Sequence, residues 1–216
     1  MTSALTTSTS LATFDFIYLA SQSPRRRELL GQIGVRYEML LPDAQEDAES
    51  LEAIEPQEAP AVYVQRVTRA KLQAAVLRHK RHGLPAAPVL CADTTVALGA
   101  TIYGKPENEA DACRILSELQ NGMHQVLTAV AVALPGQEGK VWQRLSTSHV
   151  RLAAMSAQEI ERYVLSGESM GKAGAYAIQG RMAAFVSHIE GSYSGIMGLP
   201  LYETAQLLSA AGVKHS

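Results

Sequence analysis

Apolar residues recur along this chain with two periods, and the switches between them predict where strands and helices lie. The run at 16–20, Phe-Ile-Tyr-Leu-Ala, has the length and composition of a buried strand. Ser23 and Pro24 then supply an N-cap and a first helical residue. Leu29, Leu30 and Ile33 form an apolar stripe, and Gly34 ends the helix. A second strand is expected at 37–41. Residues 42–59 are acidic and aperiodic, which predicts a loop. From 60 to 82, Tyr63, Val67, Ala70, Ala74 and Leu77 recur at helical spacing, with Lys71 on the edge of that stripe.

Past a linker at 85–88, the run Val-Leu-Cys-Ala at 89–92 predicts a buried strand that ends at Asp93. Short strands at 96–98 and 101–103 flank Gly99-Ala100 as a hairpin, and a helix at 108–119 is closed by Asn121-Gly122. Two long strands, 124–134 and 141–152, surround Pro135-Gly136. Ser156 and Glu159 have the spacing of a capping box, so a helix runs from there to about 166. The glycine-rich stretch GKAGAYAIQG, a strand at 184–189, the loop GSYSGIMGLP and a last helix from about 200 complete the chain. Strands and helices interleave, and long hairpins fill the second half. The fold class is α/β with a mixed sheet.

Composition narrows the classes. With 216 residues, 47% of them hydrophobic, the chain can bury a core. A net charge of -2 gives no general pull toward nucleic acid or an anionic membrane, so any role for positive charge is local. The longest apolar runs fall short of the ~18–20 residues of a membrane span. Cys91 and Cys113 lie outside any metal-binding spacing, which points to a reducing compartment, the cytoplasm. Residues 1–15 are rich in Ser and Thr and lack both a basic start and an apolar signal core. They read as a disordered extension before one domain at 16–216.

Local charge then singles out candidate chemistry. Arg25, Arg26 and Arg27 open a helix whose dipole already disfavours cations there. A solvated basic face is the plain alternative. In favour of a ligand, strand-to-helix turn amides, the Ser21 and Ser23 hydroxyls and two forward-reaching guanidinium groups can together hold an oxyanion. Arg27 points elsewhere, toward Glu28 and solvent. Asp93 suits a base that orients water, a ligand for a divalent cation, or a turn cap. Lys105 follows the hairpin and can fold back toward Asp93. Glu46 is one carboxylate of the acidic loop able to hold Mg²⁺ near a triphosphate. Lys172 and Gln179 lie in the glycine-rich stretch, and Gln179 offers donors and an acceptor to the edge of a base. The histidines show no shared metal spacing.

Five stretches together, SQSPRRRELL at 21–30, ADT at 92–94, GKP at 104–106, KAGAYAIQG at 172–180 and GSYSGIMGLPLYET at 191–204, resemble the Maf family of nucleoside triphosphate pyrophosphatases, in order from about residue 17 to the C-terminus. The resemblance implies an elongated, two-lobed α/β fold like that of the inosine triphosphate pyrophosphatases, with a nucleotide cleft between the lobes. It implies cleavage between the α and β phosphates, a divalent cation (Mg²⁺ or Mn²⁺) and a homodimer. It places catalysis on Asp93, Lys71, Lys105 and Glu46, with metal on Asp93 and Glu46. It places substrate binding on Ser21, Arg25, Arg26, Thr94, Lys172 and Gln179. Arg25, Thr94 and Gln179 resemble the specificity triad of the dTTP/UTP branch; the 7-methyl-GTP branch usually carries glutamate where Gln179 stands. Residues 48–60 are longer and more acidic than the family pattern. The alternatives are a regulatory nucleotide-binding protein in septum formation, or a purine-directed pyrophosphatase.

Overall fold

Residues 13–47, 50–137 and 140–215 are described by the computed structural model, and they build one mixed sheet with helices on both faces. The strands are β1 (Ile17–Leu19), β2 (Tyr37–Met39), β3 (Val89–Leu98), β4 (Thr101–Tyr103), β5 (Met123–Ala133), β6 (Val141–Leu152) and β7 (Val186–Glu190). Their order is β2-β1-β3-β5-β6-β7, and β4 also pairs with β3. β1 is parallel to β2 and β3, and the remaining pairings are antiparallel. The parallel β1-to-β2 step needs a crossover, which helix α1 (Pro24–Gln32) supplies.

The period of two in β3 and β5 sorts their side chains. Val89, Cys91 and Ala97, with Leu127, Ala129 and Ala131, face helix α2 (Pro60–Arg81), which packs across both strands through Val64, Val67, Leu72 and Ala75. Leu90, Ala92 and Val96, with Val126, Val130 and Val132, face the opposite layer. That layer holds α1, α3 (Glu109–Leu119), α4 (Ala157–Leu165) and α6 (Leu201–Ala210). Burial on both faces explains why these strands read as nearly unbroken apolar runs rather than alternating ones. Local signals set the helix starts. The Asn108 side chain accepts from Asp111 N, and Ser156 with Glu159 forms the expected capping box. No helix among the described residues is long and apolar enough to cross a membrane.

Four expectations change. β3 does not stop at Asp93 but runs five residues further, because β5 pairs with it from Val89 to Ala97. The buried stripe of α2 is Tyr63, Val64, Val67, Thr68, Leu72, Ala75, Arg78 and His79; Tyr63 and Val67 are buried as expected, while Leu77 is exposed. Apolarity misled there, since Thr68, Arg78 and His79 are buried with their polar atoms bonded to Val64 O, Leu40 O and Pro85 O. The stretch expected as a loop at 191–200 contains a short helix, α5 (Tyr193–Met197), capped by Ser192. Ser23 has the extended backbone of an N-cap, yet its hydroxyl caps nothing. The expected disordered extension falls mainly on residues 1–12, outside the described residues. Phe14 bridges to Val213, and Asp15 pairs with Lys214 at 2.9 Å.

One buried polar pair makes the fold sensitive to acid. His124 on β5 is 2% exposed; its Nε2 lies 2.8 Å from the Tyr176 hydroxyl, and its Nδ1 has no partner among the described residues. Burial lowers its pKa from 6.5 to about 4. The unfolded chain takes up this proton near pH 6.5 and the folded chain only near pH 4. Stability is therefore full above the unfolded value and falls as pH drops through that window, by up to about 3 kcal/mol. Denaturant unfolding between pH 7 and 4 should show this loss, and His124→Phe should flatten it. An undiminished slope in the variant would place the acid lability elsewhere.

Candidate active site

The site forms where the sheet is incomplete. On the side of β3 away from β5, β1 covers Val89 and Leu90 and β4 covers Val96 to Leu98. Among the described residues no strand lies beside 91–95 on that side. The chain leaving β1 turns away at 20–23 into α1, and a cleft of about 970 Å³ opens against the bare edge. It is walled by residues 20–26 on one side and the acidic loop and α2 on another. Residues 171–179 and 196–198 complete it. Because the edge is bare, side chains from both faces of β3 reach the cleft. Asp93 enters from the α2 face and Thr94 from the other.

The two arginines are held by the far end of the chain. Arg26 Nε donates to Gly198 O at 2.8 Å and Arg25 Nε to Met197 O at 3.2 Å. Gly198 has φ of 120°, a conformation that glycine adopts and other residues resist. Arg26 Nη1 donates to Ser21 Oγ at 3.0 Å, and Ser23 N donates to the same oxygen. With both lone pairs of Ser21 engaged, its one proton is left to donate to a ligand. Burial first, and Arg26 second, lower the pKa of Arg25. Burial first, and Arg25 second, lower that of Lys172 across the cleft. Both are cations in want of an anion. Arg27 is exposed, as expected.

Thr94 is placed differently from a base-reading residue. Its Oγ1 is 2.9 Å from Thr128 Oγ1, and Thr128 donates to Gly195 O at 2.7 Å. Thr128 has one proton and spends it on the carbonyl, so Thr94 must donate to Thr128. What Thr94 has left, an acceptor, faces Arg26 Nη2 at 3.5 Å. The Thr94 hydroxyl thus belongs to the support of Arg26.

On the other face, Lys71 joins two carboxylates. Its Nζ lies 2.5 Å from Asp93 Oδ1 and 2.6 Å from Glu52 Oε1, and Lys105 Nζ is 3.4 Å from Glu52 Oε2. Burial lowers the Lys71 pKa, but Asp93 and Glu52 outweigh it and the net shift is upward, so this ammonium stays charged. The acidic-loop carboxylate that approaches Asp93 is therefore Glu52, fixed by a 3₁₀ turn at Ser50–Glu52 and by the Tyr63 hydroxyl donating to Glu52 O. Glu46, the residue expected from the sequence, also borders the cleft but is bound to Arg78 and Arg81, which hold its pKa at about 2, Arg78 the stronger. Nothing in the spacing of the acidic run separates Glu46 from Glu52. What places Glu52 is its reach to Lys71 on α2, a contact across 19 residues. The carbonyls of Met197 and Gly198 were likewise beyond motif reading, because backbone acceptors have no residue type, and the Thr128 hydroxyl was hidden inside an apolar strand run.

Lys172 and Gln179 close the far wall. Lys172 Nζ donates to Met170 O, and Gln179 is exposed to the cleft with no hydrogen bond from its side chain among the described residues. The arrangement offers a ring of five cations, Arg25, Arg26, Lys71, Lys105 and Lys172, around a space with carboxylates on one side only. It suits a polyanion with several phosphate-like groups.

Comparison with known proteins agrees in character. The family model described as Maf-like protein matches residues 16–211. The dTTP/UTP pyrophosphatase of Albidiferax ferrireducens is 64% identical over 200 residues, covering 93% of this chain and 98% of that protein. Those of a Polaromonas species and Cupriavidus pinatubonensis are 61% and 58% identical, each over 93% of this chain and 98% of theirs. Among solved structures, a HAM1 protein from Coxiella burnetii matches with TM-score 0.50 and 15% identity, over 92% of this chain and all of that one. It supports the expected likeness of fold.

The hydroxyl relay makes a stability prediction. Thr128 is fully buried, so Thr128→Val takes one of the two donors from Gly195 O, which keeps Gly198 N, and leaves the Thr94 proton without an acceptor; it should cost about 1–3 kcal/mol. Thr128→Ser should recover most of it in denaturant unfolding. Equal stability of the valine variant and the parent would mean that the relay is not formed.

Proposed function

The chain belongs to the Maf family, and from that premise we propose that its cleft hydrolyses dTTP and UTP to the monophosphate and pyrophosphate, clearing these nucleotides from the pool. The observation that carries this reading is the cationic ring facing Asp93 in a space of about 970 Å³, enough for one nucleotide.

Arg25, Arg26, Ser21 and Lys172 grip the phosphate chain, and Lys71 and Lys105 approach it from the Asp93 side. Asp93 accepts a proton from a water that attacks the α-phosphorus in line. The bond to the α–β bridging oxygen breaks, and charge developing on the pyrophosphate meets the fixed cations. Lys71 keeps Asp93 in register, since one ammonium touches both carboxylates. Gln179 offers an amide to the O4 and N3–H edge of uracil or thymine, an acceptor followed by a donor, which a neutral Gln complements.

A divalent cation is part of the same reading. Mg²⁺ takes oxygen ligands, and in nucleotide sites it commonly rests on one or two carboxylates with water and phosphate oxygens. Asp93 and Glu52, both bonded to Lys71 at the cleft wall, fit that donor set better than Glu46, whose oxygens are engaged by two arginines. Bound there, the ion supplies charge neutralisation at the phosphates. The free thiols of Cys91 and Cys113 support a reducing, cytoplasmic setting. Exposed Leu165 and Tyr202 are candidates for the contact of a homodimer.

Pyrophosphate release from UTP, dTTP, CTP, GTP, 7-methyl-GTP and ITP with Mg²⁺ tests the reading. Activity should peak on UTP and dTTP, and Asp93→Asn should lower it by ~10²–10⁴ while leaving the fold intact. A peak on a purine keeps the chemistry and removes the specificity. Tight binding without turnover favours the regulatory reading. Gln179→Glu should reduce turnover of UTP and dTTP more than that of GTP; equal loss on all nucleotides removes Gln179 from base recognition.

A further inference from the structure

Gln179 lies on a short irregular segment, and such segments do not hold a side chain in one place unaided. Here both ends of the segment are tied to one neighbouring element. At its start, Ala177 N donates to the hydroxyl of Tyr163 on α4, at 3.2 Å. At its end, Arg181 N donates to both carboxylate oxygens of Glu168, at 2.9 and 3.2 Å. Glu168 stands three residues after α4 ends. Between the two ties the backbone closes a turn, Gly180 N to Ala177 O at 3.1 Å, with Gln179 inside it. The carboxylate lies so close under the turn that a Cβ on Gly180 would come within 2.2 Å of Glu168 Oε2. Only glycine permits that approach. Tyr163 is 4% exposed and cannot swing away.

We propose that Glu168 and Tyr163 are positioning residues for base selectivity, a two-point clamp that sets where the Gln179 amide meets the base. Neither touches the base, and neither shares in the phosphate chemistry. Base discrimination by hydrogen bonds depends on donors and acceptors meeting in register, so a loosened turn costs selectivity before it costs turnover. The clamp rests on the reading of Gln179 as the base-reading residue.

The test compares kcat/KM for UTP and CTP, which present opposite donor and acceptor patterns on the same ring. The proteins are the parent, Glu168→Ala, Glu168→Gln, Tyr163→Phe and Gln179→Ala. Glu168→Ala should lower the UTP-to-CTP ratio about tenfold, chiefly through KM for UTP, with kcat for CTP near that of the parent. Glu168→Gln, whose amide oxygen still accepts from Arg181 N, should retain most of the ratio. Tyr163→Phe keeps the packed ring and loses the acceptor; it should lower the ratio about threefold and carries the test if Glu168→Ala fails to fold. Gln179→Ala should collapse the ratio. An unchanged ratio in both clamp variants, beside a collapse in Gln179→Ala, overturns the clamp and leaves the base-reading role standing. Equal losses on both nucleotides also overturn it, because that is the signature of a merely structural part. An unchanged ratio in Gln179→Ala overturns the base-reading role and the clamp with it.

Discussion

Between residues 91 and 95 the outer edge of β3 has no strand beside it among the described residues, and the cleft depends on that gap. A strand buried in mid-sheet presents one face to each neighbouring layer, and its edges are taken up by hydrogen bonds. Here β1 is three residues long and β4 begins only at the far end of β3, so two layers of the protein look into one space. Asp93 and Thr94, consecutive and therefore opposite in direction, both border the same cleft. One brings the lysine and carboxylates of the α2 side, the other the arginines and hydroxyls of the α1 side. Asp93 and the arginine pair thus come from different layers and meet along that edge.

Charge is arranged in the cleft so that the two sides have opposite needs. On the α2 side each cation has a carboxylate: Lys71 has two, Lys105 shares Glu52, and Arg78 and Arg81 hold Glu46. On the α1 side no carboxylate among the described residues bonds Arg25 or Lys172; Arg26 lowers the readiness of Arg25 to stay charged and Arg25 that of Lys172, which Glu168 only partly offsets. An incoming polyphosphate relieves that repulsion where it is greatest. The anchoring of Arg25 and Arg26 by carbonyl oxygens, rather than by carboxylates, is what keeps their charge available: a carbonyl orients a guanidinium without neutralising it.

Much of this was legible in the sequence, for identifiable reasons. The period of 3.6 in α2 located the helix within a residue of its end, and the Ser156–Glu159 capping box marked the start of α4. Ser21, Arg25, Arg26, Lys71, Asp93, Lys105, Lys172 and Gln179, singled out from motifs, all border one cleft. The failures share one cause: what decides them is contact between distant segments. The end of β3 is set by pairing with β5, the buried face of α2 by the partners of Arg78 and His79, and the choice of Glu52 over Glu46 by which lysine each can reach. Residue type and spacing do not record such partners.

The 172-residue separation between each of these arginines and its carbonyl also concerns the order of synthesis. Chains emerge from the ribosome N-terminal end first, at about 5–20 residues per second. Arg25 and Arg26 are made early, but Met197 and Gly198 follow when all seven strands have already been translated. The anion grip is therefore among the last features to be completed. While the sheet, the long helix and the Asp93 side of the cleft are translated the arginines lack their carbonyl partners, and a product lacking the final twenty residues would lose those carbonyls together with α6 and its buried Leu207 and Leu208.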